Sequence, residues 1–130
     1  MEKHPSIKFN QSDIYDNIEA LDDIDLDGLD FGVIGFDAES IVRRYNAFES
    51  KLSGIAPHRV LGNALFTDVA PCTNNYVVAQ RFEDAAAMGE SLDATVDYVF
   101  TLRMVPAKVV LRMLAPVKPG LRYLLVNRRP

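Results

Sequence analysis

Apolar residues recur along this chain at two periods, and the switches between them mark its elements. Ile14, Ile18 and Leu21 stand at i, i+4 and i+7, which gathers them on one face of a helix, with Ser12 as its N-cap. An acidic stretch through Asp22, Asp23, Asp25 and Asp27 follows as a loop and closes at Gly28. Residues 31–36 predict a strand, 37–40 a hairpin turn and 41–45 the partner strand. Asn46 caps a short helix through about residue 51, which Ser53-Gly54 ends, and another helical turn begins after Pro57. Residues 62–75 read as a loop and 77–88 as a longer helix closed by Gly89. Residues 93–103, 107–114 and 121–128 predict three strands, with 116–120 turning between the last two. Val109, Leu111 and Met113 alternate with Val110 and Arg112, the period-two mark of a strand. Two strands, short helices, a connecting helix and three strands predict an α+β domain. Its centre is one antiparallel five-stranded sheet flanked by short helices.

Composition sets the scale and narrows the partners. A chain of 130 residues buries about two-thirds of its unfolded surface on folding, enough for one core. The polar opening, 1–28, reads as an N-terminal cap segment on a core formed by 29–130. A net charge of −4 with a pI near 5.1 gives no electrostatic footprint for nucleic acid or anionic lipid. Arg122, Arg128 and Arg129 are diluted by apolar strand positions and read as a solvated sheet edge. The first residues lack the apolar run of a signal peptide, and the longest apolar candidate, 105–117, is broken by Lys108, Arg112 and two prolines. The expected address is cytoplasmic, which suits a single reduced cysteine, and the expected state a monomer or weak dimer.

Two motif-like runs carry nothing. Asp23-Ile24-Asp25-Leu26-Asp27-Gly28 imitates the first half of a calcium loop, but Ile34 stands at the twelfth position, where a bidentate Glu is required. Gly32-x-x-Gly35 is too sparse for a dinucleotide loop and precedes no helix; it suits close backbone approach.

The chemistry centres on Cys72. One thiol forms no internal disulfide and builds no zinc site alone, but it can hold a covalent group. Upstream, Tyr45, Glu49 and Ser53 progress by four. If 45–53 is helical, each lies about 40° around the axis from the last. Phe48 and Leu52 flank that face, which turns it inward. An inward phenol, carboxyl and hydroxyl suit a polar guest, and a buried, protonated Glu49 would be a second donor beside Tyr45. On spacing alone, a solvated Glu49 and an inert buried Cys72 are the stronger reading. A cysteine hydrolase is disfavoured, because His4 and His58 fall in a terminus and a turn.

The runs Val69-Ala70-Pro71-Cys72-Thr73, Tyr45-Asn46-Ala47-x-Glu49 and Leu26-Asp27-Gly28-Leu29-x-Phe31-Gly32, with Val99-Phe100 and Met104-x-Pro106-x-Lys108-Val109, resemble the photoactive yellow protein family. The resemblance runs from about residue 21 to the C-terminus. It implies a PAS fold and a blue-light receptor that performs no catalytic turnover and signals to a downstream protein. It also implies p-coumaric acid joined to Cys72 as a thioester, with Tyr45 and protonated Glu49 on the phenolate and Ser53 supporting Tyr45. The Cys72 N–H would hold the thioester carbonyl, and Ala70, Pro71, Phe100 and Met104 would line the pocket. The match reverses the odds on Glu49 and Cys72. Three positions depart from the family: Ile55 stands where an arginine shields the phenolate, Leu102 replaces an aromatic residue, and Leu124 a tryptophan. A PAS interaction module without pigment and an acyl-transfer enzyme using Cys72 are the competing readings.

Overall fold

The computed structural model describes residues 7–101 and 106–128. In chain order the elements are α1 (Ile14–Ala20), α2 (Asp23–Leu26), β1 (Gly32–Phe36), β2 (Val42–Tyr45) and α3 (Ala47–Ser53). A 3₁₀ turn (Pro57–Arg59), a π-helical turn (Leu65–Val69) and a second 3₁₀ turn (Pro71–Thr73) lead to α4 (Ala79–Met88). Then come β3 (Leu92–Phe100), β4 (Ala107–Ala115) and β5 (Arg122–Arg128). The sheet is antiparallel throughout, in the order β2-β1-β5-β4-β3. A hairpin and a three-strand meander are therefore joined by pairing the first strand with the last, with Gly32 opposite Val126.

Side-chain alternation sends alternate residues to two separate cores. Ile34, Phe36, Val109, Leu111, Met113, Leu124 and Val126 face α4 and the turns on one side. Val33, Leu114, Tyr123 and Leu125 face the other side, covered by Ile7, Phe9, Ile14, Ile18, Leu26 and Leu29. Burial on both faces makes β5 a central strand, with Tyr123, Leu124, Leu125 and Val126 fully buried. The expectation of a solvated basic sheet edge is corrected for Arg122 and Arg128, which end a central strand; Arg129 lies outside the described residues.

Local differences have plain causes. Asp13, not Ser12, takes the N-cap position of α1, and its side chain makes no capping bond. The acidic stretch is not all loop, because the Asp22 carboxylate accepts from the Asp25 N–H at 2.8 Å and so starts α2. Residues 62–75 carry two helical turns, since Leu65, Phe66 and Val69 are buried and their backbone needs internal partners. α3 runs to Ser53 and closes on Gly54 at φ 77°, where a left-handed residue is required. No helix among the described residues is long and apolar enough to cross a membrane.

Two arginines tie the N-terminal segment to the sheet. Arg44 donates to the carbonyls of Ile18 (3.1 Å) and Leu21 (2.6 Å) at the end of α1, and to the Tyr123 hydroxyl. Arg112, 7% exposed, forks onto Asp93 at 2.8 Å and donates to the carbonyls of Phe9 (2.7 Å) and Gln11 (2.9 Å). Hydrogen bonds from a charged donor are worth about 1.5–3 kcal/mol each. Arg112→Leu is expected to release the segment around Phe9 while the sheet stays intact. Hydrogen exchange would show protection lost at Gln11 and α1 but kept in β1 and β5; unchanged protection at Gln11 would contradict this role.

Candidate functional site

The site forms where β2 turns into α3. Tyr45 ends the strand and the helix begins only at Ala47, so the continuous helix imagined from the spacing does not exist. The side chains converge because Asn46 folds the chain back on itself. Its carbonyl accepts from the N–H groups of Val33 (2.9 Å) and Glu49 (3.1 Å). Its amide donates to the carbonyls of Leu26 (3.2 Å) and Phe31 (3.0 Å). Asp27 adds a bond to the Ala47 N–H at 2.7 Å. The polar face of α3 points inward, with Glu49 0% and Ser53 4% exposed. Leu52, expected to flank that face inward, is 45% exposed. The inward placement is correct, but the polar residues and the Asn46 turn produce it, not the apolar flanks.

Tyr45, Ser53 and Ile55 share a closed set of hydrogen bonds. The Tyr45 hydroxyl lies 2.7 Å from Ser53 Oγ and donates to the Ile55 carbonyl at 3.1 Å, while the Ile55 N–H donates to Ser53 Oγ at 3.2 Å. Burial, first, pushes the Tyr45 phenol up to about 12, so it keeps its proton at neutral pH and stays a donor. The Ile55 side chain packs half-buried against the core that contains Tyr45.

Glu49 lies on bare backbone. A Cβ built on Gly32 would meet Glu49 Oε1 at 2.1 Å and its Cβ at 3.1 Å, so only glycine leaves room there. Both carboxyl oxygens meet Arg128 of β5, Oε1 to Nη1 at 2.7 Å and Oε2 to Nη2 at 3.1 Å. Burial raises the Glu49 carboxyl above the ordinary carboxylate range, and Arg128 offsets part of that rise. The Arg128 guanidinium also sits 5.8 Å from the centre of the Phe100 ring.

Cys72 occupies the second 3₁₀ turn, fastened by the Thr73 hydroxyl to the buried Ala70 carbonyl at 2.7 Å. Its thiol is free and half-buried against the same core as Tyr45, Ala70 and Phe100. Pro71 opens the turn from an exposed position, so it shapes the loop and is not enclosed with the others. Met104 and Leu102 lie outside the described residues. Three contributors escaped the sequence reading. Tyr98 donates to the Cys72 carbonyl at 2.5 Å, and Asn75 donates to the Tyr98 hydroxyl at 2.6 Å, which fixes the loop. Arg128 is the third. Strand parity could have found it, because 124, 126 and 128 share the face that carries the site.

The residues present suit a flat aromatic acid. A single thiol can take its acyl end, Ala70, Ile55 and Phe100 supply apolar walls, and the Tyr45 hydroxyl can donate to an anionic oxygen, which buried Glu49 could join only when protonated. Among the described residues no group of three or more His, Cys, Asp or Glu side chains is placed to hold a metal.

No protein-family profile matches the sequence. The photoactive yellow protein of Rhodothalassium salexigens is 36% identical over 122 residues, covering 94% of this chain and 97% of the relative. The solved photoactive yellow protein domain from the sensor histidine kinase Ppr of Rhodospirillum centenum superposes with a TM-score of 0.79 at 38% identity, covering 87% of this chain and 98% of that one. The PAS domain of the Cronobacter turicensis receptor RpfR superposes with a TM-score of 0.60 at 14% identity over 78% of this chain and 95% of its own, a likeness of fold alone.

Proposed function

This chain belongs to the photoactive yellow protein family of photoreceptors, and from that membership we propose that it carries p-coumaric acid on Cys72 as a thioester and responds to blue light. The observation that carries the reading is the chain's only thiol, placed in the core that holds Tyr45 and borders fully buried Glu49. When bound, p-coumaric acid supplies a double bond that isomerises from trans to cis in light and a phenolate that can accept a proton.

The chain's own residues do the rest. The Cys72 sulfur holds the acyl group, and the Cys72 N–H holds its carbonyl oxygen. Tyr98 keeps the loop in place through the Cys72 carbonyl at 2.5 Å. Ala70 and Phe100 wall the pocket, Pro71 shapes the loop that presents Cys72, and Ile55 excludes water without donating a hydrogen bond. Tyr45 donates to the phenolate, which competes with the Ile55 carbonyl for its proton, and Ser53 orients the Tyr45 hydroxyl. In this proposal Glu49, raised by burial and lowered in part by Arg128, holds its proton beside the bound phenolate and gives it up after illumination.

A carboxylate left in a desolvated site costs several kcal/mol. Loosening the N-terminal segment, 1–28, of which residues 7–28 are described, relieves that cost and exposes a signalling surface to a downstream protein. Return of the proton to Glu49 restores the dark form, and no turnover is involved. The test is reconstitution with activated p-coumaric acid. The unmodified protein is expected to gain a visible absorption band and Cys72→Ala to gain none. A coloured Cys72→Ala, or a colourless unmodified protein, would overturn the proposal, and the latter would favour a PAS module that binds partners without pigment.

A further inference from the structure

The position that carries an arginine in the family to which this chain is similar holds Ile55 here. Its side chain offers only alkyl surface, and its backbone is committed to Tyr45, Ser50 and Ser53. A guanidinium nonetheless reaches the site from the last strand. Arg128 meets both oxygens of Glu49, at 2.7 and 3.1 Å, with its side chain 16% exposed against 0% for Glu49. The two-pronged geometry is the strong form of a charge-assisted hydrogen bond. Its aim is fixed from two sides: Phe100 lies 5.8 Å from the guanidinium, and Gly32 leaves the space in which the Glu49 carboxyl rests.

We propose that Arg128 is a positioning residue of the pigment site, holding the Glu49 carboxylate in place when Glu49 gives up its proton. The proposal rests on the pigment reading above. The proton passes from a Glu49 carboxyl oxygen to the anionic oxygen of the bound acid: one O–H bond breaks, one forms, and no electron is transferred. The charge left on Glu49 is then met by a guanidinium already in hydrogen-bond contact, so Glu49 releases its proton more readily and regains it more slowly. Among the described residues the ionisable groups that act on Glu49 are Arg128 from β5 and Tyr45 from β2. Tyr45 stays neutral through the range concerned, which leaves Arg128 as the charge that matters.

The test uses the full chain in two forms. Without pigment, the Glu49 carboxyl is titrated by carbon NMR in the unmodified protein, Arg128→Gln and Arg128→Lys. The glutamine variant is expected to raise the midpoint by about one pH unit or more, a tenfold tighter proton, with the lysine variant between. With pigment, dark recovery after a flash is expected to be about tenfold faster in Arg128→Gln, in proportion to that change in proton affinity, and partly restored in Arg128→Lys. An unchanged midpoint, or unchanged recovery in a coloured protein, overturns the proposal. A shifted midpoint in a protein that takes no colour upholds the grip of Arg128 on Glu49 and removes only the pigment reading. Should Arg128→Gln fail to fold, the lysine variant alone decides, because it keeps the charge and loses the fork.

Discussion

Replacing Asn46 with alanine is expected to destabilise the protein by about 3 kcal/mol or more, since buried groups left without a partner cost about 1–3 kcal/mol each. Asn46 is 1% exposed, and its side chain serves four backbone groups: the N–H of Val33, the N–H of Glu49 and the carbonyls of Leu26 and Phe31. These groups belong to β1, to α3, to the end of α2 and to the residue just before β1, so one amide joins four parts of the fold. Alanine removes the α3 cap as well, which alone is worth about 1 kcal/mol. A domain with 5–15 kcal/mol of total stability feels such a loss strongly. Denaturant unfolding measures it directly. A change below about 1 kcal/mol, the value of the cap alone, would show that the four bonds are readily replaced.

Gly32→Ala is the second large effect, and its sign is diagnostic. Where the backbone tolerates both residues, alanine for glycine stabilises a protein by about 0.4–1 kcal/mol through the unfolded chain. Gly32 does not have the positive φ seen at Gly54, Gly62 and Gly89. The obstacle is instead space, because the new methyl would lie 2.1 Å from Glu49 Oε1 and 3.1 Å from both Cβ and Cδ of Glu49. Rotating the carboxyl away cannot relieve the Cβ contact, so α3 must lift from β1. Overpacking of this kind costs about 1–3 kcal/mol, and it pulls Glu49 out of register with Arg128. The expected results are a lower unfolding midpoint and a shifted infrared band for the Glu49 carboxyl. A stabilised protein with an unmoved Glu49 band would contradict the packing described.

The sequence pattern revealed what depends on local period and capping. The five strands, the Asn46 cap and the glycines that close α3 and α4 are all short-range features, and all stand near their expected places. What it hid is set by long-range pairing. The place of β5 beside β1, between two layers, follows from the Gly32–Val126 register across the sheet. A count of basic residues therefore mistook Arg128 for an edge residue when it answers a buried acid 79 positions away. The convergence of Tyr45 and Ser53 was anticipated on a helix that does not extend so far. Their 2.7 Å contact comes from a strand-to-helix turn instead. Tyr98 was missed because its partner is a backbone carbonyl, which leaves no mark in a sequence.

The account stands on the sulfur of Cys72, and intact mass after chemical loading examines it most directly. The full chain treated with activated p-coumaric acid is expected to gain the mass of one hydroxycinnamoyl group, with its single thiol no longer titratable and Cys72→Ala unchanged in mass. An unaltered mass with the thiol still free would contradict the central claim.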